Sequence, residues 1–141
     1  KVYAKIAELD PDNIDAQLKL ATFLMLGRKV DESREKVAFV LAKEPENVEA
    51  LMLLAGIHDS ENRPDEAAAL FEKVIALDRN RAPAYMALAR VYQRRGKIFE
   101  AEQILLEAIE IDPGASRLRP ELAGFYGRQR KFDKAEAEIL P

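Results

Sequence analysis

Residues 48–81 read VEALMLLAGIHDSENRPDEAAALFEKVIALDRNR, and this stretch decides the fold. Within it and its copies, apolar side chains recur at intervals of three and four residues, as Leu88, Val91 and Tyr92 do. That interval is the period of a helix with one buried face, whereas a strand would alternate. The charged loop Glu61-Asn62-Arg63-Pro64 interrupts the pattern. The stretch therefore predicts two helices joined by a short loop.

The same pattern returns every 34 residues along the chain. The turn Asp10-Pro11-Asp12-Asn13 recurs as Glu44-Pro45-Glu46-Asn47 and as Asp112-Pro113-Gly114-Ala115. Two columns are unbroken over four copies, namely Leu20, Leu54, Leu88 and Leu122, and beside them Ala21, Ala55, Ala89 and Ala123. We predict one all-α array. Its parts are the second helix of a truncated repeat (1–13), full repeats at 14–47, 48–81 and 82–115, and an incomplete fourth repeat (116–141).

Polar residues at the turns predict where the helices begin. Asn13 and Asn47 precede first helices, and an Asn side chain there accepts hydrogen bonds from free backbone N–H groups. Asp31, Asp65 and Asp133 are predicted to cap second helices in the same way. Pro120 falls inside the first helix of the fourth repeat, so we expect that helix to start late or to kink.

Composition narrows the class of protein. The 141 residues are 48% hydrophobic and 33% charged, which supplies enough apolar surface for a folded core. No apolar run is long enough to span a membrane, so we expect no direct membrane insertion. The absence of cysteine excludes disulfides and suits a reducing cytoplasm and a bacterial periplasm equally. Because the chain starts without Met, we expect it to derive from a longer parent protein.

The sequence offers little that could perform catalysis. His58 is the only imidazole, and it lies in a column otherwise held by Leu24, Tyr92 and Tyr126, which favours a structural role. The four hydroxyl residues other than tyrosine have no plausible base beside them, and there is no Gly-rich phosphate loop. One imidazole beside two carboxylates matches no closed zinc site. We therefore predict no enzymatic activity, no metal and no cofactor.

These residues resemble the tetratricopeptide repeat family over the whole chain. The shared pattern is a Leu and then a small residue in the first helix, an aromatic place that here reads Leu24, His58, Tyr92 and Tyr126, and a closing Pro. The early aromatic place of the family matches only at Tyr85, with Gln17, Leu51 and Arg119 in the other copies. The resemblance implies a right-handed α-solenoid of antiparallel helix pairs, whose first helices line a concave side.

The resemblance also implies that a peptide or helix of another protein docks on that concave side. Transferred by position, the partner-binding groove comprises Leu18, Thr22, Met25, Met52, Gly56, Asp59, Met86, Arg90, Gln93, Arg94, Arg117 and Arg128. An apolar row of Leu18, Met52, Met86 and Pro120 would form its floor, and ordinary packing against a neighbouring helix is the alternative for that row. The residues that clamp the C-terminal carboxylate of heat-shock chaperones in some family members are absent here.

Other partners are less well supported. A basic cluster is the only candidate for nucleic acid: Arg90, Arg94, Arg95, Lys97, Arg117, Arg119, Arg128, Arg130 and Lys131. The formal net charge of −3 and the scarcity of interleaved aromatic residues argue against that partner. The alternatives for the cluster are a solvated helix face and loop edge, which the residues favour, and a surface that binds an acidic protein or peptide. Apolar ends of the array would favour self-association.

Three functions remain open at this point. The first is a non-catalytic scaffold that binds a partner protein in its groove. The second is a structural segment of a bacterial envelope, export or secretion assembly. The third is a regulatory array of an enzyme whose catalytic domain lies outside this segment.

Overall fold

A computed structural model describes residues 2–114 and 118–128, and every regular element in those ranges is an α-helix. In chain order the helices are α1 (Val2–Leu9), α2 (Ile14–Leu26), α3 (Val30–Lys43), α4 (Val48–Ser60), α5 (Pro64–Leu77), α6 (Ala82–Arg94), α7 (Ile98–Ile111) and α8 (Leu118–Arg128). The predicted all-α class is confirmed.

Helix boundaries follow the 34-residue period of the sequence. The first helices α2, α4 and α6 each have 13 residues, and the second helices α3, α5 and α7 each have 14. Within each kind, successive helices begin 34 residues apart. Only three residues separate a first helix from its second, so the chain reverses, and within the units α2 packs antiparallel on α3 and α6 on α7.

Each three-residue loop closes through the same backbone geometry. The middle residue has a positive φ: 61° at Arg28, 60° at Asn62 and 77° at Gly96. The next N–H donates to a carbonyl oxygen five residues earlier, as Lys29 does to Leu24 at 2.8 Å. This is the left-handed C-terminal cap that satisfies the last free carbonyls of a helix.

The chain divides into two compact units, Lys1–Leu70 and Phe71–Pro141, and the division falls within α5. In unit 1, α2 contacts α1, α3 and α4. One buried cluster joins α2, α3 and α4, and its members are Leu18, Ala21, Val37, Val40, Ala50 and Ile57. In unit 2, α7 packs against α6 and α8. Its buried clusters include Tyr85, Met86, Ala89, Leu105, Ala108, Leu118, Leu122 and Phe125.

Small residues lie where paired helices approach most closely. Ala21 and Ser33 are fully buried, and the Ser33 hydroxyl donates to the Ala21 carbonyl oxygen at 2.8 Å. The corresponding residues of unit 2, Ala89 and Ala101, are also buried. A methyl or hydroxymethyl group leaves room for the facing backbone, whereas a branched side chain would push the helices apart.

The predictions about helix starts are partly confirmed. Asn13 accepts from the Ala16 N–H at 3.0 Å, and Asn47 accepts from the Ala50 N–H at 2.9 Å. The prediction for Asp31 is wrong, because α3 begins at Val30 after Lys29, which gives no side-chain cap. Asp31 lies in the first turn instead, where its charge still interacts favourably with the helix dipole.

Asp65 and Pro120 also lie inside first turns. Asp65 follows Pro64 at the start of α5, and Asp133 lies outside the described residues. Pro120 is the third residue of α8, which continues to Arg128. A proline there removes no intrahelical hydrogen bond, since the first N–H groups of a helix have no partner within it. Pro120 therefore lies in the first turn of the described helix, where it forces no kink. The residues just before Leu118 lie outside the described ranges, so the expected late start stays a prediction.

Candidate functional site

The α2 part of the predicted groove is mostly packed into unit 1. Leu18, Thr22 and Met25 share one face of α2. Leu18 is only 4% exposed, in the cluster with Val37 and Ile57. Thr22 is half-buried, and its hydroxyl donates to the Leu18 carbonyl oxygen at 3.0 Å. Met25 is half-buried against the same cluster, so it is the apolar side chain of this set that a partner can reach best.

The α4 part of the groove is more open. Met52, Gly56 and Asp59 follow one another at four and three residues, so they also share a helix face. All three are half-buried. A Cβ atom added at Gly56 would meet no heavy atom within 4 Å, which shows free space above this turn. A partner backbone can therefore approach α4 closely at Gly56.

In unit 2 the predicted floor residue Met86 belongs to the core. It is 8% exposed and packs with Tyr85, Ala108 and Leu118. For Leu18 and Met86 the structure thus shows the packing alternative, because the facing second helix covers each side chain. Met52 remains half-buried and Pro120 is exposed. The four residues of the predicted row therefore do not form one exposed apolar floor.

Arg90 and Glu121 form a two-pronged ion pair between α6 and α8. The Arg90 Nε and Nη2 atoms each donate to one carboxylate oxygen of Glu121 at 2.9 Å. The Arg90 side chain is 55% exposed and that of Glu121 is 16% exposed. The hydrogen bond with Glu121 raises the pKa of Arg90 above its ordinary value. The guanidinium is therefore charged at every working pH and held in one orientation.

The remaining predicted groove residues lie around this pair. Gln93 is half-buried, and its Nε2 is buried with no hydrogen-bond partner among the described residues. Arg94 and Arg128 are exposed. The Arg128 Nη1 atom lies 3.3 Å from the position that a Cβ of Gly124 would occupy, so its side chain folds back along α8. Arg117 lies outside the described residues.

Tyr92 and His58 both belong to the aromatic column, and both are half-buried. The Tyr92 hydroxyl donates to a Glu72 carboxylate oxygen, and burial together with this acceptor raises the pKa of Tyr92 to about 12. His58 is half-buried, and its Nδ1 has no hydrogen-bond partner in the described part of the chain. Among the described residues, no three His, Asp or Glu side chains converge into a group that could hold a metal ion.

Sequence reasoning missed one repeated hydrogen bond. The Tyr85 hydroxyl donates to the Arg79 carbonyl oxygen at 3.0 Å, and at the same repeat position Gln17 Nε2 donates to the Pro11 carbonyl oxygen at 3.0 Å. The sequence pattern marks Gln17 only as a departure from the aromatic residue, although both side chains carry a donor. Gln17 also lines a shallow cleft of about 220 Å³ with Pro11, Glu35, Lys36 and Phe39.

Charge differs between the helices of unit 2. Helices α6 and α8 together carry four basic residues and one acidic residue, namely Arg90, Arg94, Arg119, Arg128 and Glu121. Helix α7 carries four acidic residues and no basic one, namely Glu100, Glu102, Glu107 and Glu110. In unit 1, α2 and α4 together carry three acidic residues and one basic residue, namely Asp15, Glu49, Asp59 and Lys19. The first helices of unit 1 are therefore net acidic, whereas α6 and α8 of unit 2 are net basic.

No helix in the described ranges combines the length and the apolar character that a membrane crossing requires.

Comparison with known proteins identifies the repeat. Two models of the tetratricopeptide repeat match the chain, one over residues 18–82 and the other over residues 59–119. No curated protein sequence matches it significantly.

Several solved structures share the fold at low sequence identity. A crystal structure of MamA is 24% identical with a TM-score of 0.76, over 96% of this chain and 80% of that one. A thermophilic tetratricopeptide repeat protein of Thermus thermophilus is 18% identical with a TM-score of 0.81, over 96% and 75%. The pilF protein of Pseudomonas aeruginosa is 22% identical with a TM-score of 0.77, over 89% and 57%. Since the helices repeat every 34 residues and the repeat models together cover residues 18–119, the chain belongs to the tetratricopeptide repeat family.

Proposed function

We propose that the chain is a non-catalytic interaction scaffold that binds a peptide or helix of another protein on the exposed faces of its first helices. The observation that carries this proposal is the run of first helices α2, α4 and α6, which are equally spaced along the sequence. The repeat models match all of α4 and α6 and most of α2. Repeats of this kind expose a row of equivalent helix faces, and extended surfaces of that type bind other chains.

The reachable side chains define where a partner would bind in each unit. In unit 1 they are Met25 and Met52, with free space at Gly56 and a carboxylate at Asp59. Methionine adapts its shape to varied apolar groups, so such a surface tolerates different partner side chains. In unit 2 the corresponding faces carry Arg90, Gln93, Arg94 and Arg128.

A site-specific crosslink tests the proposal. A photo-crosslinking amino acid placed at Gly56 should capture a partner protein in cell extract, because that position opens on free space beside Met52. The same amino acid placed at the exposed Ala42, on the second helix α3, is the matched control. Equal capture from both positions, or capture from Ala42 alone, would reject the first-helix face of unit 1 as the binding surface.

Self-association is a second candidate, and Phe23 favours it. Phe23 is 54% exposed, whereas Ile57 and Phe125 at the same repeat position are fully buried by a preceding helix pair. Leu26, one turn further along α2, is also exposed. Sedimentation equilibrium tests this surface: a Phe23→Gln/Leu26→Gln variant should be monomeric if the natural chain associates through it. An unchanged mass distribution rejects that contact.

A further inference from the structure

In unit 2, α6 and α8 are mainly basic and α7 is acidic. The first helices α6 and α8 carry four arginines and one glutamate, whereas α7, which contacts both, carries four glutamates and no basic residue. An acidic ligand is therefore attracted to the surface of α6 and α8 and repelled from that of α7. Charge complementarity of this kind selects a partner and orients its approach.

The Arg90 guanidinium has further hydrogen-bond donors for a second carboxylate. A guanidinium has five N–H donors, and Glu121 accepts from two of them. With 55% of the side chain exposed, Arg90 stays accessible to a ligand while it is paired with Glu121. Because Glu121 already fixes the orientation of the guanidinium, a ligand that binds the free edge orders little that was mobile before.

Of the two glycines of α8, Gly127 leaves free space, whereas Arg128 occupies the space above Gly124. The Arg128 guanidinium lies over Gly124, where a Cβ would stand only 3.3 Å from Nη1. At Gly127 a Cβ would meet no heavy atom within 4 Å. A peptide can thus bring its own backbone against α8 while its side chains reach Arg90 and Arg128.

We propose that the surface formed by α6 and α8 in unit 2 binds an acidic peptide segment of a partner protein, with Arg90 and Arg128 receiving its carboxylates. This inference rests on the proposed function and names the chemistry of its partner. Nucleic acid fits the same surface poorly, because it requires aromatic rings on which bases can stack. Among the described aromatic residues of α6 and α8, Tyr85, Phe125 and Tyr126 are buried, and Tyr92 is half-buried and bonded to Glu72.

Fluorescence anisotropy with the complete chain tests the inference. The probe is a fluorescein-labelled peptide of about ten residues in which Glu and Ala alternate, and the comparison peptide carries Gln at each Glu position. The Glu peptide should bind about tenfold more tightly than the Gln peptide, since each exposed ion pair adds modestly to affinity. Its affinity should fall when the NaCl concentration rises from about 50 to about 200 mM.

Variants of equal charge locate the site. Arg90→Gln/Arg128→Gln should weaken binding of the Glu peptide by about tenfold. Lys73→Gln/Arg79→Gln removes the same two charges from exposed positions elsewhere in unit 2 and should change affinity by less than about twofold. Arg128→Gln alone, at the exposed end of α8, serves as a second variant if the double variant loses helical content by circular dichroism.

Three results would overturn the inference: equal binding of the Glu and Gln peptides, equal losses in the two double variants, or tighter binding of an oligothymidylate of the same charge. A crosslink from Gly56 of unit 1 that persists alongside any of these results would leave the proposed function intact. Loss of that crosslink with continued Glu-peptide binding would instead reject the proposed site in unit 1.

Discussion

The Ser33 hydroxyl donates a hydrogen bond to the carbonyl oxygen of Ala21 across 2.8 Å, and both residues are fully buried. This bond joins α2 to α3 at the place where the equivalent residues of other repeats are Ala67 and Ala101. A side chain that is small enough for a close helix contact therefore also supplies a specific link.

Ser33→Ala should destabilise unit 1 by about 1 kcal/mol, the usual net contribution of one hydrogen bond. The cost stays low because the Ala21 carbonyl lies within α2, where the helix itself supplies a donor. Ser33→Leu should cost more, about 1–3 kcal/mol, because the added carbons overpack the contact. Urea unfolding followed by circular dichroism measures both. A larger loss for Ala than for Leu would contradict the close-packing account.

At the loop residues with positive φ, introducing a glycine and removing one should change the stability of the fold in opposite directions. Arg28 has a φ of 61°, which a residue with a Cβ adopts at a cost, so Arg28→Gly should stabilise the fold by about 0.5 kcal/mol. Gly96 has a φ of 77°, and Gly96→Ala should destabilise by about 1 kcal/mol. Gly27, whose φ is −83°, is the matched control, and Gly27→Ala should not destabilise. Melting temperatures that rank Gly96→Ala above Gly27→Ala would contradict this reading of the loops.

Tyr92 should make stability fall at high pH. Its pKa is about 12 in the folded chain against 10 for an ordinary tyrosine, chiefly because of burial and then because of the Glu72 acceptor. The folded state therefore holds the phenol proton more tightly, so this contribution is complete below about pH 10 and is lost as pH rises from 10 to about 12.

The absorbance of tyrosinate at high pH measures this effect. Tyr92→Phe should remove a late phase from the titration and flatten the loss of stability in that pH window. Tyr3→Phe is the control, since Tyr3 takes part in no such bond to a carboxylate in the described structure. A titration that Tyr92→Phe leaves unchanged would refute the assignment.

Alanine substitutions at Gly124 and Gly127 distinguish an effect on the stability of α8 from an effect on the position of the Arg128 side chain. Replacing either glycine by alanine should stabilise α8 by up to about 1 kcal/mol, because alanine favours the helix. Only Gly124→Ala places a Cβ against the Arg128 guanidinium, which would have to move by a few tenths of an ångström. Gly124→Ala should therefore weaken binding of the Glu peptide, whereas Gly127→Ala should leave Arg128 in place. Equal affinities in both variants would exclude the contact between Arg128 and Gly124 from the binding site.

The columns of the sequence were sufficient to predict the helices. Leu20, Ala21 and their copies specify both the helical period and the close contact, and the helix bounds follow the same spacing. The first residue of α3 could not be predicted in this way, because it depends on the backbone of the preceding loop, and the predicted cap at Asp31 was therefore wrong. Arg28 at positive φ moves the first helical residue to Val30, one position before the aspartate.

The candidate site was less predictable than the fold. Position in the repeat identifies the face on which Leu18, Met86 and Arg90 lie, but not how deeply each is covered. The facing second helix buries Leu18 and Met86, and this cover depends on side chains distant in sequence. The pairing of Arg90 with Glu121 spans 31 residues, and no local pattern marks it.

The hydrogen bonds from Gln17 to Pro11 and from Tyr85 to Arg79 each tie the start of a first helix to the turn before it. Leu51 stands at the same position in the repeat between them and has no polar atom to donate. Its turn, Glu44 to Asn47, lacks that tether, and its amide protons should exchange with deuterium sooner than those of the other two turns. Local opening in solution would then begin at the turn that leads into the middle repeat.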